Sequence, residues 1–156
     1  MQQSIHNASA AKHAKNYSTF DSGALAAWVN NSVVLPGLGK VPGKLFLKDL
    51  MGFTSCEMSI NAMMPGGGMP FHHTHVENEE IYIFIHGRGQ VQIDGETLDV
   101  REGSIVRVSP DGVRTWRNNG RDTLVYIVIQ MRDKSLRQYG LTDGVVVPDK
   151  PVVWPG

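Results

Sequence analysis

From Lys44 onward, Gly, Pro, Asn and Asp cut the chain into short apolar segments at close intervals. This punctuation limits the available folds more than any single residue does. Segments are expected over residues 44–50 and 55–63, the second ending at Pro65-Gly66-Gly67-Gly68. A strongly apolar run, Ile81-Tyr82-Ile83-Phe84-Ile85, leads to the Gly87-Arg88-Gly89 turn. Residues 90–93 and 96–100 flank Asp94-Gly95, a two-residue hairpin signal, because the central residues of such a turn take positive φ. Further segments span 104–108, 113–117 and 123–131, separated by Pro110-Asp111-Gly112 and Asn118-Asn119-Gly120. The sum is about nine short strands with turns every ~8–12 residues, the pattern of an all-β sandwich or barrel. The triple glycine suits a sharp crossing between sheets, where backbone approaches backbone. It is not read as a phosphate loop, since no Lys-Ser pair and no helix follow it.

The flanks differ from this middle. Residues 1–43 read as an N-terminal arm: polar and loose over 1–17, then a short helix over 24–29 capped by Asp21 or Ser22 and anchored by Trp28. Residues 44–131 form the barrel domain. Residues 132–156 form an extended tail in which Val145-Val146-Val147 and Val152-Val153-Trp154 sit between prolines. The tail is expected to lie along a sheet edge or to cross to a second subunit, since an uncovered apolar strand is hazardous.

At 156 residues one domain with one core is expected. Fifteen basic residues balance fifteen acidic ones. No strongly basic face is implied, and nucleic acid is not an expected partner. The single cysteine, Cys56, excludes an internal disulfide framework and is read as a small core residue. No secretory signal and no run of ~20 apolar residues appears, so a soluble, cytoplasmic protein without membrane contact is expected.

Chemistry concentrates between Gly67 and Gly87, in GGMPFHHTHVENEEIYIFIHG. His73 and His75 are one residue apart, which on a strand points both to one face. A four-residue loop over 76–79 would set Glu80 across from His75 in a hairpin, and Tyr82 across from His73. Two imidazoles and a carboxylate then converge, as a divalent ion requires. A solvated polar turn is the plain alternative. Against it, a carboxylate opening so apolar a strand is costly to bury without a cation or a donor. His72 should face the other way. His86 lies about 20 Å further along the strand, out of reach of the same ion.

The spacing Gly67-x5-His73-x-His75-x4-Glu80-x6-Gly87 resembles the first motif of the cupin superfamily without deviation. The later stretch Gly103-SIVRVS-Pro110-Asp111-Gly112-VRTWRN-Asn119 resembles the second, with one extra residue before the proline. Thr115 stands where cupins usually carry a third histidine. The resemblance implies a double-stranded β-helix, the jelly-roll barrel, and edge-paired homodimers. The remaining set of two His and one Glu would leave open coordination positions on Fe(II), Zn(II), Mn(II), Co(II) or Ni(II).

Around that centre Tyr82, Asn61, Thr115, Arg117 and Arg107 are the expected cavity residues, the arginines as holders of an anionic group. Three functions follow. One is a metal-dependent binder of a small polar molecule, such as a sugar or sugar phosphate. Another is a sugar-phosphate isomerase or epimerase, since the chain is similar to small cupins described as mannose-6-phosphate-isomerase-like; no general base is legible for it. The third is an Fe(II) cupin dioxygenase.

Overall fold

The computed structural model describes residues 2–6, 9–140 and 142–156. Met1, Asn7, Ala8 and Leu141, which fall in the expected arm and tail, lie outside the described residues. The strands are β1 (Gln2–Ser4), β2 (Lys12–His13), β3 (Ser18–Thr19), β4 (Ser32–Leu35), β5 (Gly39–Pro42), β6 (Lys44–Phe46), β7 (Glu57–Met63), β8 (Asn78–His86), β9 (Arg88–Ile93), β10 (Glu96–Arg101), β11 (Ile105–Val108), β12 (Arg114–Arg117) and β13 (Leu124–Arg132). A 3-10 helix, Leu25–Asn30, precedes β4, and one α-helical turn, α1 (Lys48–Met51), precedes β7.

Two sheets form the barrel. One is five-stranded, in the order β11-β8-β13-β7-β6; the other is three-stranded, β10-β9-β12. Strand alternation gives each an apolar inner face. Tyr82, Phe84, Leu124, Tyr126 and Val128 of the first pack with Val91, Val100 and Trp116 of the second in one buried cluster. The outer face of the larger sheet is apolar too. Leu45, Ile60, Ala62 and Val125 there are covered by Trp28 of the 3-10 helix and by Leu47. The anchoring role of Trp28 is thus met, with its indole N–H donated to Ser22 Oγ at 3.2 Å. No side chain caps the helix; its N-cap is Ala24, and Asp21 instead accepts from the Gly23 N–H.

Asp94-Gly95 makes the expected two-residue turn, with φ of 50° and 86° and Ile93 facing Glu96. The glycine crossing is also present. Gly68 pairs with Arg117, and a Cβ there would lie 3.2 Å from the Arg117 Cβ.

Three expectations change. The segment 44–50 is not one strand. After Leu47 the chain winds into α1, closed by Gly52 in the left-handed region at φ 72°. Among the described residues of 1–17, two segments are strands rather than loose chain: β1 pairs with β4, and β2 pairs with β3. Cys56 is only half-buried, outside both core clusters. Beyond Arg132 the described tail joins no sheet of its own chain, and its six apolar residues at 145–147 and 152–154 are exposed. No helix among the described residues is long and apolar enough to cross a membrane.

Candidate metal centre

His73, His75 and Glu80 come together, but not through a hairpin. A strand has two edges, and both edges of β8 are taken: Glu80 faces Val108 on one side and Gln130 on the other. His75 therefore cannot stand opposite Glu80, nor His73 opposite Tyr82. The histidines instead extend the smaller sheet. His73 exchanges both backbone hydrogen bonds with Arg114, at 3.1 and 3.0 Å, and the His75 N–H donates to Pro110 O at 3.0 Å. The imidazoles reach Glu80 across the barrel, from one sheet to the other. This is more constraining than a hairpin, because packing of the whole core sets the separation.

His75 Nε2 lies 3.3 Å from Glu80 Oε1, and His73 Nε2 lies 4.0 Å from Oε2. One donor atom from each of the three residues can be chosen within 4.8 Å of the others. Ligands about 2.0–2.2 Å from a common ion are spaced on this scale. His73 Nδ1 and His75 Nε2 are buried without a hydrogen-bond partner. Buried polar atoms are normally paired, so His75 Nε2, which faces Glu80, is suited to a cation. The residues present therefore fit a divalent ion.

The carboxylate is held from outside that set. Glu80 Oε2 accepts from Tyr82 Oη at 2.5 Å and from Arg114 Nε and Nη2 at 3.1 and 3.0 Å. Gln130 Nε2 donates to Oε1 at 2.8 Å, leaving that oxygen the one turned to His75. Arg114 is fully buried, and its Nη1 donates to the carbonyls of Pro110 and Gly112. Burial pushes the Glu80 carboxyl up, but the Tyr82 hydrogen bond, His75 and Arg114 outweigh it and hold it below its ordinary value. Burial lowers both imidazoles, helped at His73 by Arg114 and opposed at His75 mainly by Glu80. Burial and then Glu80 push the Tyr82 phenol far up, keeping it a donor. At neutral pH the centre is thus two neutral imidazoles and one anionic carboxylate, the protonation a metal needs.

The remaining expected residues divide. Tyr82 faces inward beside the centre, and Asn61 lines the adjoining cavity. Thr115, Arg117 and Arg107 point outward. Thr115 Oγ1 donates to Met69 O, Arg117 binds the half-buried Gln90 side chain, and Arg107 pairs with Glu79 and Asp133. The inward residues of β12 are Arg114 and Trp116, both buried. A one-residue slip exchanges the faces of a strand. Placing the large apolar Trp116 in the core would have turned Arg114 inward on sequence alone. The exposed His72 bonds to Gln92 and His86 is exposed, so neither joins the centre.

A cavity of about 520 Å³ opens above the donors. Trp116 forms part of its wall, its ring centroid 5.8 Å from that of His73. Met63, Met69, Phe71 and, from the β4–β5 hairpin, Leu35 and Leu38 make most of it apolar. Lys44, which the sequence reading passed over as the start of a strand, also lines it.

A cupin-domain family model matches residues 60–130. The solved structure of a cupin protein from Bacteroides fragilis is 38% identical, with a TM-score of 0.64; the match covers 67% of this chain and 88% of that one. The chain belongs to the cupin superfamily. A candidate sugar phosphate isomerase from Acidithiobacillus ferrooxidans shares this cupin fold at 21% identity and a TM-score of 0.53, covering 66% of this chain and 60% of that chain. An uncharacterized protein of Methanocaldococcus jannaschii is 35% identical over 59 residues, which are 38% of the cupin described here and 47% of that protein.

Proposed function

We propose that this cupin uses His73, His75 and Glu80 to hold a divalent transition ion, and that the ion takes an oxygen-bearing small molecule from the adjoining cavity. The observation that carries this reading is the convergence of His73, His75 and Glu80, one donor atom from each within 4.8 Å of the others beside the cavity, with His75 Nε2 buried and without a hydrogen-bond partner. A bound ion would supply Lewis acidity toward that oxygen. The chain's own residues do the rest. Arg114, Tyr82 and Gln130 fix the orientation and charge of Glu80, as outer partners of a ligating carboxylate do. Trp116 and the methionines keep bulk water away.

The apolar wall shapes the ligand. Arg107 and Arg117 lie outside the cavity, so neither grips a phosphate there. The sugar-phosphate isomerase reading thereby loses the two arginines expected to hold its phosphate. A molecule with a polar head at the metal and an apolar body along Met63, Met69 and Phe71 suits the lining better. The same lining favours one second reading, an Fe(II)-dependent oxygenase of such a substrate, because two His and one carboxylate leave facing positions open. The exposed tail valines support pairing with a second copy as a homodimer; a monomer mass by light scattering would reject that.

Metal content after gentle purification tests the main reading, together with thermal melting after addition of Mn, Fe, Co, Ni or Zn. Ion at a hundredfold excess over its dissociation constant should add about 2.7 kcal/mol, or about 5–10 °C in a domain of this size. His75→Ala should abolish the shift and His86→Ala should retain it. Absence of any shift in the unmodified protein, with every ion, rejects the site.

A further inference from the structure

The inner face of the five-stranded sheet carries a second polar group. Lys44 of β6 stands opposite Asn61 of β7, and both line the cavity that holds His73, His75 and Glu80. Lys44 Nζ donates to Ser59 Oγ and Asn61 Oδ1, each at 3.0 Å. Asn61 is locked in that orientation, because its Nδ2 donates to Ser59 O, Ser59 Oγ and Tyr126 O at 3.0, 3.1 and 3.4 Å. An ammonium has three N–H donors, and these two partners leave one free. Both partners are neutral, and among the described residues Lys44 makes no ion pair. The Phe46 ring, 4.6 Å from Nζ, offers only a cation–π contact. Glu80 and Glu57 act on the amine through space.

A secluded cation without a counter-ion is unfavourable and is relieved when an anion arrives. Burial has already lowered the amine to about 8, against the pull of both glutamates. The surrounding wall is mostly methionine, leucine and phenylalanine. Of the other nearby cations, Lys40 lies on the exposed face of the β4–β5 hairpin and Arg114 is spent on Glu80 and two carbonyls, so Lys44 is the secluded cation with a donor to spare. We infer that Lys44, held by Ser59 and Asn61, is the anchor for a carboxylate, and that the ligand of this cavity is a small monocarboxylic acid with an apolar body. The inference rests on the cavity being the ligand site, as in the proposed function, but not on metal occupancy.

The test uses metal-stripped protein, so that failure to bind metal and failure to bind carboxylate are read separately. Hexanoate and its neutral isostere hexanamide are titrated by calorimetry. Hexanoate should bind at least about tenfold more tightly, a difference of about 1.4 kcal/mol. Lys44→Met should reduce hexanoate to the level of hexanamide while leaving hexanamide unchanged, and Lys44→Arg should restore part of the preference. Failure of hexanoate to bind the unmodified protein overturns the inference, as does a preference that survives Lys44→Met. A second measurement needs no variant. Carbodiimide activates bound hexanoate, the Lys44 amine forms the C–N bond of an amide, and the activated oxygen leaves with the carbodiimide as its urea. The Lys44 peptide should gain the mass of hexanoic acid less water ahead of the exposed Lys12 and Lys48, which lie outside the cavity. Labelling confined to those exposed lysines overturns the inference.

Discussion

Glu79 and Glu80 are neighbours on β8, and each binds an arginine, but they do so on opposite sides of one sheet. Outside, Glu79 meets Arg107, whose side chain is 53% exposed and which also reaches Asp133. Inside, Glu80 meets Arg114, which has no exposed side-chain surface, with Tyr82 and Gln130 completing the contacts. The chemical pair is the same, and alternation along the strand alone decides which environment it enters. In water such a pair contributes little, because solvent screens it and two long side chains lose freedom. In the core the pair is not itself a large gain, but losing one partner strands a charge. The outer pair therefore decorates the barrel, whereas the inner pair fixes the ionised state of the proposed metal ligand.

The sharpest way to break this contrast is to remove each arginine in turn. Arg114→Met should cost about 3–5 kcal/mol in urea unfolding, because Glu80 loses its buried cation. A cost near that of a surface change would show that the inner pair is not isolated from solvent. Tyr82→Phe should cost about 1.5–3 kcal/mol, the range for a hydrogen bond to a charged group.

Acid separates the pairs next. The folded-state carboxyl of Glu80 lies below its ordinary 4.5, so its contribution is whole above that value and is lost as pH falls through the folded value. The imidazoles act in the same direction from a higher start. Their folded values lie below 6.5, so the unfolded chain takes up protons first and stability declines as pH falls below 6.5. Melting temperatures of metal-free protein should fall on this acid side, and His73→Gln with His75→Gln should flatten the upper part of the fall. Equal slopes in both proteins would remove the imidazoles from the account. Smallest of all, Arg107→Ala should change stability by no more than about 1 kcal/mol, and less at high salt. A larger loss would mean that the outer cluster is structural.

The sequence reading and the structure agree where spacing is local. His73, His75 and Glu80 were legible from one motif, the β9–β10 turn from Asp94-Gly95, and the all-β architecture from the rhythm of turns. Long-range register was not legible. Nothing between residues 67 and 87 says that β11 and β13 occupy both edges of β8, which is what forces the histidines onto the other sheet. On β12 the motif alignment put Thr115 and Arg117 on the inner face, although Trp116 carried the stronger physical signal. Lys44 escaped notice because a lysine at the start of an edge strand ordinarily points to solvent. Only its pairing with Asn61, 17 residues away, turns it inward. The structured N-terminal arm was likewise hidden, since β1 needs β4 some thirty positions along the chain to become a strand.

The hairpin β4–β5 lies before the stretch matched by the cupin family model, yet Leu35, Leu38 and Val41 wall the cavity. None of these three residues touches the imidazoles or Glu80 through a hydrogen bond, and the donors are fixed by the barrel beneath. Under the proposed function, the metal donors and part of the ligand-facing wall thus come from different pieces of chain. Lengthening, shortening or recolouring this hairpin would reshape the cavity wall while leaving the three donor residues unaltered, an arrangement well suited to diversification from a common barrel.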